Sequence, residues 1–454
     1  MKMYRQFKQF WIRFFIIVWE VVKSMKSIRG LISLFISYMI FQGWAFLFIL
    51  FGNAWMKGIG AAVITFWFGP GTPTIPIILI VALFIQRYIL LDFSNQFHLK
   101  EKWIELNQRF GDIKTESKGV IPMLFETFEL KNIKLKNRVV MPPMCMYSAD
   151  TEGFANDFHI GHYAARAIGG VGLIIQEATA IDKDGRISIN DLGIWSDEHI
   201  TGLKRIVDAI HLHGSVAGIQ INHAGRKAKV DNPIGPSAVT YGGEYIVPKE
   251  MTIEDIKKVV SDFKSAARRA HEAGYDFLEL HAAHGYLLFQ FLSPISNHRK
   301  DMYKDGKILL REVVEAVRSE WPKEKALGIR ISAYEYVKEG VTPEMMADAI
   351  LSVKDLGVDI IDVSSGGNIL VKINAFPGYQ LHLAKKIKDL TGLPVMGGGL
   401  ITTLELAHYA VSSNQADLVY LGRVLLRDPY LIINQAQDFH AEIEYPKPYI
   451  RGKK

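Results

Sequence analysis

His281-Ala-Ala-His284-Gly-Tyr286 places two imidazoles three residues apart and a phenol two further on. They close the run Tyr275-Asp-Phe-Leu-Glu-Leu280, which reads as a buried strand, so all three groups stand where a strand runs out into a loop. Imidazole N–H groups donate hydrogen bonds to a carbonyl or an oxyanion, and a tyrosine can give up a proton. Such a triplet suits a site that polarises an oxygen and protonates a neighbouring atom. The same histidines could ligate zinc, or sit in the core satisfied by backbone. No further cluster supplies a convincing third ligand, so no metal is expected.

The elements that position this triplet repeat along the chain. From Pro122 onward, short apolar runs rich in β-branched residues alternate with amphipathic stretches. The strand candidates are 139–142, 173–177, 216–221, 277–281, 327–332, 360–364, 394–397 and 418–422. The helix candidates are 158–168, 199–213, 253–273, 309–320, 343–356, 379–390 and 403–412. Eight strands alternating with helices predict an α/β fold, a (β/α)8 TIM barrel over 122–454. A doubly wound sheet is the runner-up, but the first strand ends in Pro142-Pro-Met-Cys-Met-Tyr147, not in a glycine-rich phosphate loop. Cys145, Tyr147, Gln220, His281, His284, Tyr286, Arg330, Ser364-Ser-Gly-Gly367, Gly397-Gly-Gly399 and Gly422-Arg423 then fall at or just past strand ends. In a barrel that is the catalytic face, and glycines after the last two strands commonly bind phosphate there.

Residues from about 123 to 452 resemble the Old Yellow Enzyme family of FMN-dependent ene-reductases, most closely its bacterial NADPH-dehydrogenase branch. The motifs are Leu135-Lys-Asn-Arg-Val-Val-Met-Pro-Pro-Met-Cys-Met-Tyr147, Asp191-Leu-Gly-Ile-Trp-Ser196, Gln220-Ile-Asn-His-Ala-Gly-Arg226, the 281–286 triplet, Phe291-Leu-Ser-Pro-Ile-Ser-Asn-His-Arg299 and Leu421-Gly-Arg423. The resemblance implies noncovalent FMN at the strand ends. Pro142, Pro143, Met144 and Cys145 line its ring system in that picture, with Ala178 and Gln220 against the ring and Arg330 near N1/O2. Gly398, Gly399, Gly422 and Arg423 hold the phosphate. His281 and His284, assisted by Tyr147, grip a substrate carbonyl, and Tyr286 is the proton donor. NADPH or NADH reduces the flavin, and an enone, enal or quinone takes the hydride at its β-carbon. Arg451, in the tail Tyr449-Ile-Arg-Gly452, resembles the branch's arginine finger that enters a neighbouring subunit, which implies a homo-oligomer. Two departures stand out. The stretch 300–307 is shorter than the family's loop, and Pro142 replaces a small hydroxyl residue. His223, His298 and Arg226 receive no role.

Composition bounds what else the chain can do. Its formal charge is +6 over 454 residues. Residues 1–29 carry seven Lys/Arg against Glu20 alone, which is the entire excess, so the barrel region is balanced and no nucleic-acid footprint is expected. Cys145 is the only cysteine, which excludes an internal disulfide or a cysteine-ligated iron–sulfur cluster and suits a reducing compartment. The lone cysteine also argues against a dienoyl-CoA-type reductase with its cluster.

Residues 30–56 and 58–86 contain no charged side chain other than at the Lys57 junction between them. Each stretch is long enough for a membrane helix of about 20 residues, although Gly69-Pro-Gly-Thr-Pro-Thr-Ile-Pro76 breaks the second. Residues 1–91 therefore read as a transmembrane helical segment, a two-span hairpin in the lipid bilayer, with 12–22 interfacial and 92–121 a juxtamembrane connector. The basic N-terminus stays cytoplasmic by charge asymmetry, which puts the barrel in the cytoplasm as well. The expected protein is a membrane-anchored FMN oxidoreductase. A flavin-binding sensor or scaffold, or a transporter-associated subunit, are the readings from other classes.

Overall fold

The computed structural model describes residues 123–439, 441 and 443–453. The expected membrane spans, the interfacial stretch and the connector lie outside the described residues. Among the described residues no helix is long and apolar enough to cross a membrane.

Eight parallel strands close into a barrel in chain order: β1 Val139–Met141, β2 Leu173–Ala180, β3 Val216–Asn222, β4 Phe277–Ala282, β5 Ala326–Ser332, β6 Ile360–Ser364, β7 Val395–Gly397 and β8 Leu418–Tyr420. The ring shuts where β8 pairs with β1 through Val419 and Val139. Around it run α1 Asp157–Ile168, α2 His199–His211, α3 Ile253–Glu272, α4 Gly306–Arg318, α5 Pro343–Lys354, α6 Leu381–Thr391 and α7 Leu404–Ser412. The parallel barrel expected from the alternating pattern is thus the fold observed.

Local chemistry explains the element limits. In α3 the buried side chains are Ile256, Val259, Phe263, Ala266, Ala267 and Ala270, one stripe at helical spacing. Thr252 and Asp255 close its first turn as a capping box. α4 begins three residues earlier than its apolar pattern suggests, because the Asp305 carboxylate accepts from the Lys307 N–H and caps it. Strands buried on both faces are apolar throughout most of their length, as in β2 and β5, because helices cover one side and the barrel interior fills the other.

The barrel interior is apolar at its N-terminal end and polar toward its C-terminal end. Val140, Leu173, Ile175, Phe277, Ile360, Met396 and Leu418 form the apolar layer. A short hairpin, Phe128–Leu130 with Ile133–Leu135, stops that end with Ile133 and Leu135. Phe277 sets one strict requirement: a Cβ on Gly328 would approach its ring to 2.3 Å, so β5 carries glycine there. Glu279, Arg330, Asp362, Gln220 and Tyr420 make up the polar part.

Candidate active site

His281 is the penultimate residue of β4, and the strand-to-loop exit carries the rest of the triplet. His284 takes φ +56°, a conformation non-glycine residues seldom adopt. Its backbone N–H is fixed by the Ser332 hydroxyl at 2.9 Å. The turn packs tightly on the loop after β6: a Cβ on Gly285 would meet Asn368 at 2.5 Å, and one on Gly367 would meet His284 at 2.7 Å. The ring of His281 lies 5.2 Å from that of His284 and 4.8 Å from that of Tyr286, edge-on in both cases. The three predicted groups do converge.

Their protonation follows from burial. Desolvation, aided by His284, Arg330 and Lys227, holds His281 well below the usual imidazole range. Desolvation, Arg330 and Lys227 do the same to His284. Both rings are therefore neutral at pH 7. The Ala283 N–H donates to His281 Nδ1 at 3.3 Å, which leaves the ring hydrogen on Nε2. His284 Nε2 lies 2.7 Å from the Ser364 hydroxyl. With Ser364 donating, the hydrogen of His284 sits on Nδ1. Burial first, then Cys145 and Tyr147, raises Tyr286 well above its ordinary value and keeps the phenol protonated.

Cys145 lies in the segment after β1 and packs in one cluster with Ala178, Ala224, Ala228 and Tyr286. Glu177 staples this segment: its carboxylate accepts from the Met146 N–H at 2.7 Å and from the Tyr163 hydroxyl at 3.1 Å. Burial, with Asp191 and Glu177, pushes the Cys145 thiol up, so it stays a neutral thiol. Tyr147 stands beside it at φ +51°, half exposed, and burial pushes its phenol up to about 12. Pro142 is buried, Pro143 and Met144 are half-buried, and a Cβ on Gly422 would meet Met144 at 3.5 Å and Pro142 at 3.8 Å. The 142–145 segment and the β8 exit therefore border the same space.

Around that space lie a polar side and a glycine side. Gln220 and Arg330 are buried at the ends of β3 and β5. Gly399 takes φ +94° after β7, and Gly398 makes room for the Tyr420 ring, which its Cβ would approach to 2.2 Å. Arg423 is exposed and opens a five-residue helical turn after Gly422. Arg451 is not brought to this face. It is exposed, and the neighbouring Pro446, Lys447 and Pro448 line a cavity of about 600 Å³ with Gly170 and Gly214, at the opposite strand ends. The short 300–307 stretch borders a cavity whose lining includes none of His281, His284 and Tyr286. Lys304 to Lys307 line that cavity, of about 300 Å³, with Phe291 and with Met345 and Met346 of α5.

Two site residues received no role from the sequence. Lys227 is buried, and its ammonium donates to the carbonyls of His284 and Gly367, each at 2.9 Å. It stands 4.9 Å from the Tyr286 ring centroid and 4.4 Å from that of Tyr241, and burial lowers it to about 8. Arg226, assigned no role from sequence, is a brace. Its guanidinium donates to Asn368 and to the Val239 and Thr240 carbonyls, tying the β3 loop to the β6 loop.

Comparison with known proteins decides the class. Residues 123–442 match the NADH:flavin oxidoreductase / NADH oxidase family. The chain belongs to that family. A relative from Clostridium acetobutylicum, named NADPH dehydrogenase, is 48% identical over 336 residues, covering 72% of this chain and 99% of its own. An old yellow enzyme homologue from Zymomonas mobilis has a solved structure with TM-score 0.62 and 27% identity, covering 72% and 96% of the two chains. Morphinone reductase in complex with tetrahydroNAD gives TM-score 0.61 at 26% identity, covering 72% and 93%. The resemblance to Old Yellow Enzyme and its NADPH-dehydrogenase branch holds, and the protein is a flavin-dependent NAD(P)H oxidoreductase using FMN.

The residues present fit an FMN. Arg330 Nε faces Asp362 Oδ2 at 3.1 Å without a hydrogen bond, so this buried cation keeps donors for a ligand. Gln220 spends its Nε2 on the Glu279 carboxyl, which leaves its carbonyl edge for a ligand. Gly422 directly precedes the exposed Arg423 at the β8 exit, where a phosphate can approach bare backbone.

Proposed function

We propose that this site reduces activated C=C bonds of α,β-unsaturated carbonyl compounds at the expense of NADPH or NADH. Bound FMN supplies the hydride path between nicotinamide and alkene. The chain's own residues supply the rest. His281 Nε2–H and the His284 ring donate to the substrate carbonyl oxygen, where negative charge grows as the β-carbon is reduced. Tyr147 borders the same oxygen site. Tyr286 delivers a proton to the α-carbon, so one hydride and one proton are added across the double bond. Pro142, Pro143, Met144, Cys145 and Ala178 wall the ring system, Gln220 and Arg330 face its pyrimidine edge, and Gly398, Gly399, Gly422 and Arg423 face its phosphate. The carrying observation is the edge-on trio of His281, His284 and Tyr286 beside Cys145. The relative named NADPH dehydrogenase favours NADPH as the donor.

The purified protein is expected to be yellow, to bleach on NADPH addition without oxygen, and to regain colour with cyclohexenone. Bleaching with no reoxidation by any simple enone or quinone rejects the substrate class and favours the sensor or scaffold reading.

The membrane anchor and the second copy belong to the same proposal. Two uncharged segments and the basic 1–29 stretch support an anchor in 1–91 with the barrel on the cytoplasmic side, where NAD(P)H is found. The full chain is expected in the membrane fraction after a salt wash, and a chain starting near Gly119 in the supernatant, flavinated and active. A salt-washed full chain that stays soluble contradicts the anchor. The exposed tail supports Arg451 reaching a second copy's site. A monomeric barrel that keeps full activity without 449–454 contradicts that arrangement.

A further inference from the structure

Glu279 is wholly buried in the middle of β4, inside the barrel. A carboxyl there is expensive, because desolvation of a charged or polar group costs several kcal/mol unless it is well partnered. The neighbouring interior position, Phe277, shows that an apolar side chain fills this strand readily. Glu279 has one direct side-chain partner: Gln220 Nε2 donates to its Oε2 at 2.6 Å, while Oε1 has none. In strand register Gln220 stands opposite Glu279, and His281 stands opposite Arg330. Glu279 thus lies level with Gln220, one interior position beneath His281.

A second acid lies at the level of Arg330. Asp362 is buried in β6 opposite Arg330, and Arg330 Nε is 3.1 Å from Asp362 Oδ2, too poorly angled to count as a hydrogen bond. Asp362 is the acid nearest Arg330, while Glu279 Oε2 is taken by the amide. An amide has two distinguishable edges. Once its NH2 group is held by a carboxyl, its carbonyl oxygen must point the other way. No protein donor among the described residues reaches Gln220 Oε1. The pyrimidine edge of a flavin offers one donor, N3–H, between two carbonyl acceptors. The unused edge of Gln220 is the acceptor that this donor needs.

We propose that Glu279 is a positioning residue for the cofactor: its buried carboxyl holds Gln220 Nε2 and so presets the Gln220 carbonyl oxygen as the acceptor for N3–H of FMN. Without that anchor the amide can turn over and present its NH2 group to N3–H, a donor facing a donor. The role is distinct from that of Gln220 itself, and it assigns a task to a residue that never touches the flavin. It rests on the FMN site described above.

The test uses the full chain in detergent with FMN labelled with nitrogen-15 at N3. In the native protein, exchange of the N3 proton with water is expected to be slow. Glu279→Leu is expected to speed that exchange at least about tenfold and to weaken FMN binding. Glu279→Gln keeps an acceptor oxygen for Gln220 Nε2 and is expected to stay within about threefold of the native rate. Native exchange in the Glu279→Leu protein overturns the proposal, as does a Glu279→Gln protein that exchanges as fast as Glu279→Leu. If the Glu279→Leu protein does not fold, the native protein answers alone. Before FMN is added, one side-chain proton of Gln220 must already be protected from exchange, and two freely exchanging protons overturn the proposal. FMN that binds with slow N3 exchange in every variant leaves the cofactor site standing and removes only the task given to Glu279.

Discussion

Replacing both His281 and His284 with alanine is expected to leave FMN bound while enone turnover falls by about a hundredfold or more. Placed donors at a developing oxyanion are worth roughly 2.7–4 kcal/mol in related sites, which sets that scale. The two rings are neutral and face the same space, His281 with its Nε2 hydrogen free of protein acceptors among the described residues. Loss of the donors therefore acts on the oxidative half-reaction, where the carbonyl is polarised. Hydride loss from NADPH builds no oxyanion on its carboxamide, so the rate of flavin reduction should change less. Single variants separate the two rings. His284 also ties the loop to Ser364, so its removal should disturb the turn, whereas His281→Ala should act on chemistry with the turn intact. Stopped-flow measurement of the two half-reactions checks this. An oxidative rate within threefold of the native one in the double variant dismisses these histidines as carbonyl donors.

Much of the fold was legible because its strands are buried on both sides. Such strands must be short, apolar and β-branched, and the eight runs from 139 to 422 all correspond to strands in the barrel. The site was legible where chemistry clusters in sequence, as in 281–286, or where a polar residue ends an apolar run, as at Gln220 and Arg330. Lys227, Glu177, Asp191, Glu279 and Asp362 were not. A single charged residue in a chain of letters looks alike whether it is solvated or buried, and only packing tells the two apart. Lys227 finds its role through carbonyls 57 and 140 residues away. Glu279 and Asp362 did carry a weak signal: an acid between apolar neighbours in a strand with no solvent face must find a partner inside the barrel. The Leu287–Leu292 helix is invisible for another reason. Its six residues are too few for a periodic pattern, and Gln290 holds it by bonds to the Ala224 and Gly285 carbonyls.

Arg330→Met is expected to destabilise the flavin-free protein by about 3–5 kcal/mol at neutral pH, since removing one member of a buried ion pair leaves the other charge uncompensated. The charge left behind is Asp362, which is 1% exposed and has no hydrogen bond to either oxygen. The sign of the pH dependence follows. Burial raises Asp362 to about 6, with Arg330 holding it down, so the folded pKa lies above the ordinary value near 3.9. An acid with a raised folded pKa favours the fold while protonated. That contribution is complete below about 4 and is lost as pH rises through about 6. In Arg330→Met the restraining cation is gone, so the folded pKa climbs further and the loss continues above 6. The difference between native and variant stability should therefore be small at pH 5 and widen through pH 6 to 8. Adding Asp362→Leu removes the stranded acid and should recover most of the loss, because a buried pair can often be replaced by apolar side chains at little cost. Urea unfolding of the flavin-free forms across that range measures both effects. A gap that does not change with pH, or a double variant no more stable than Arg330→Met alone, would show that Asp362 is not the group that Arg330 holds in the barrel.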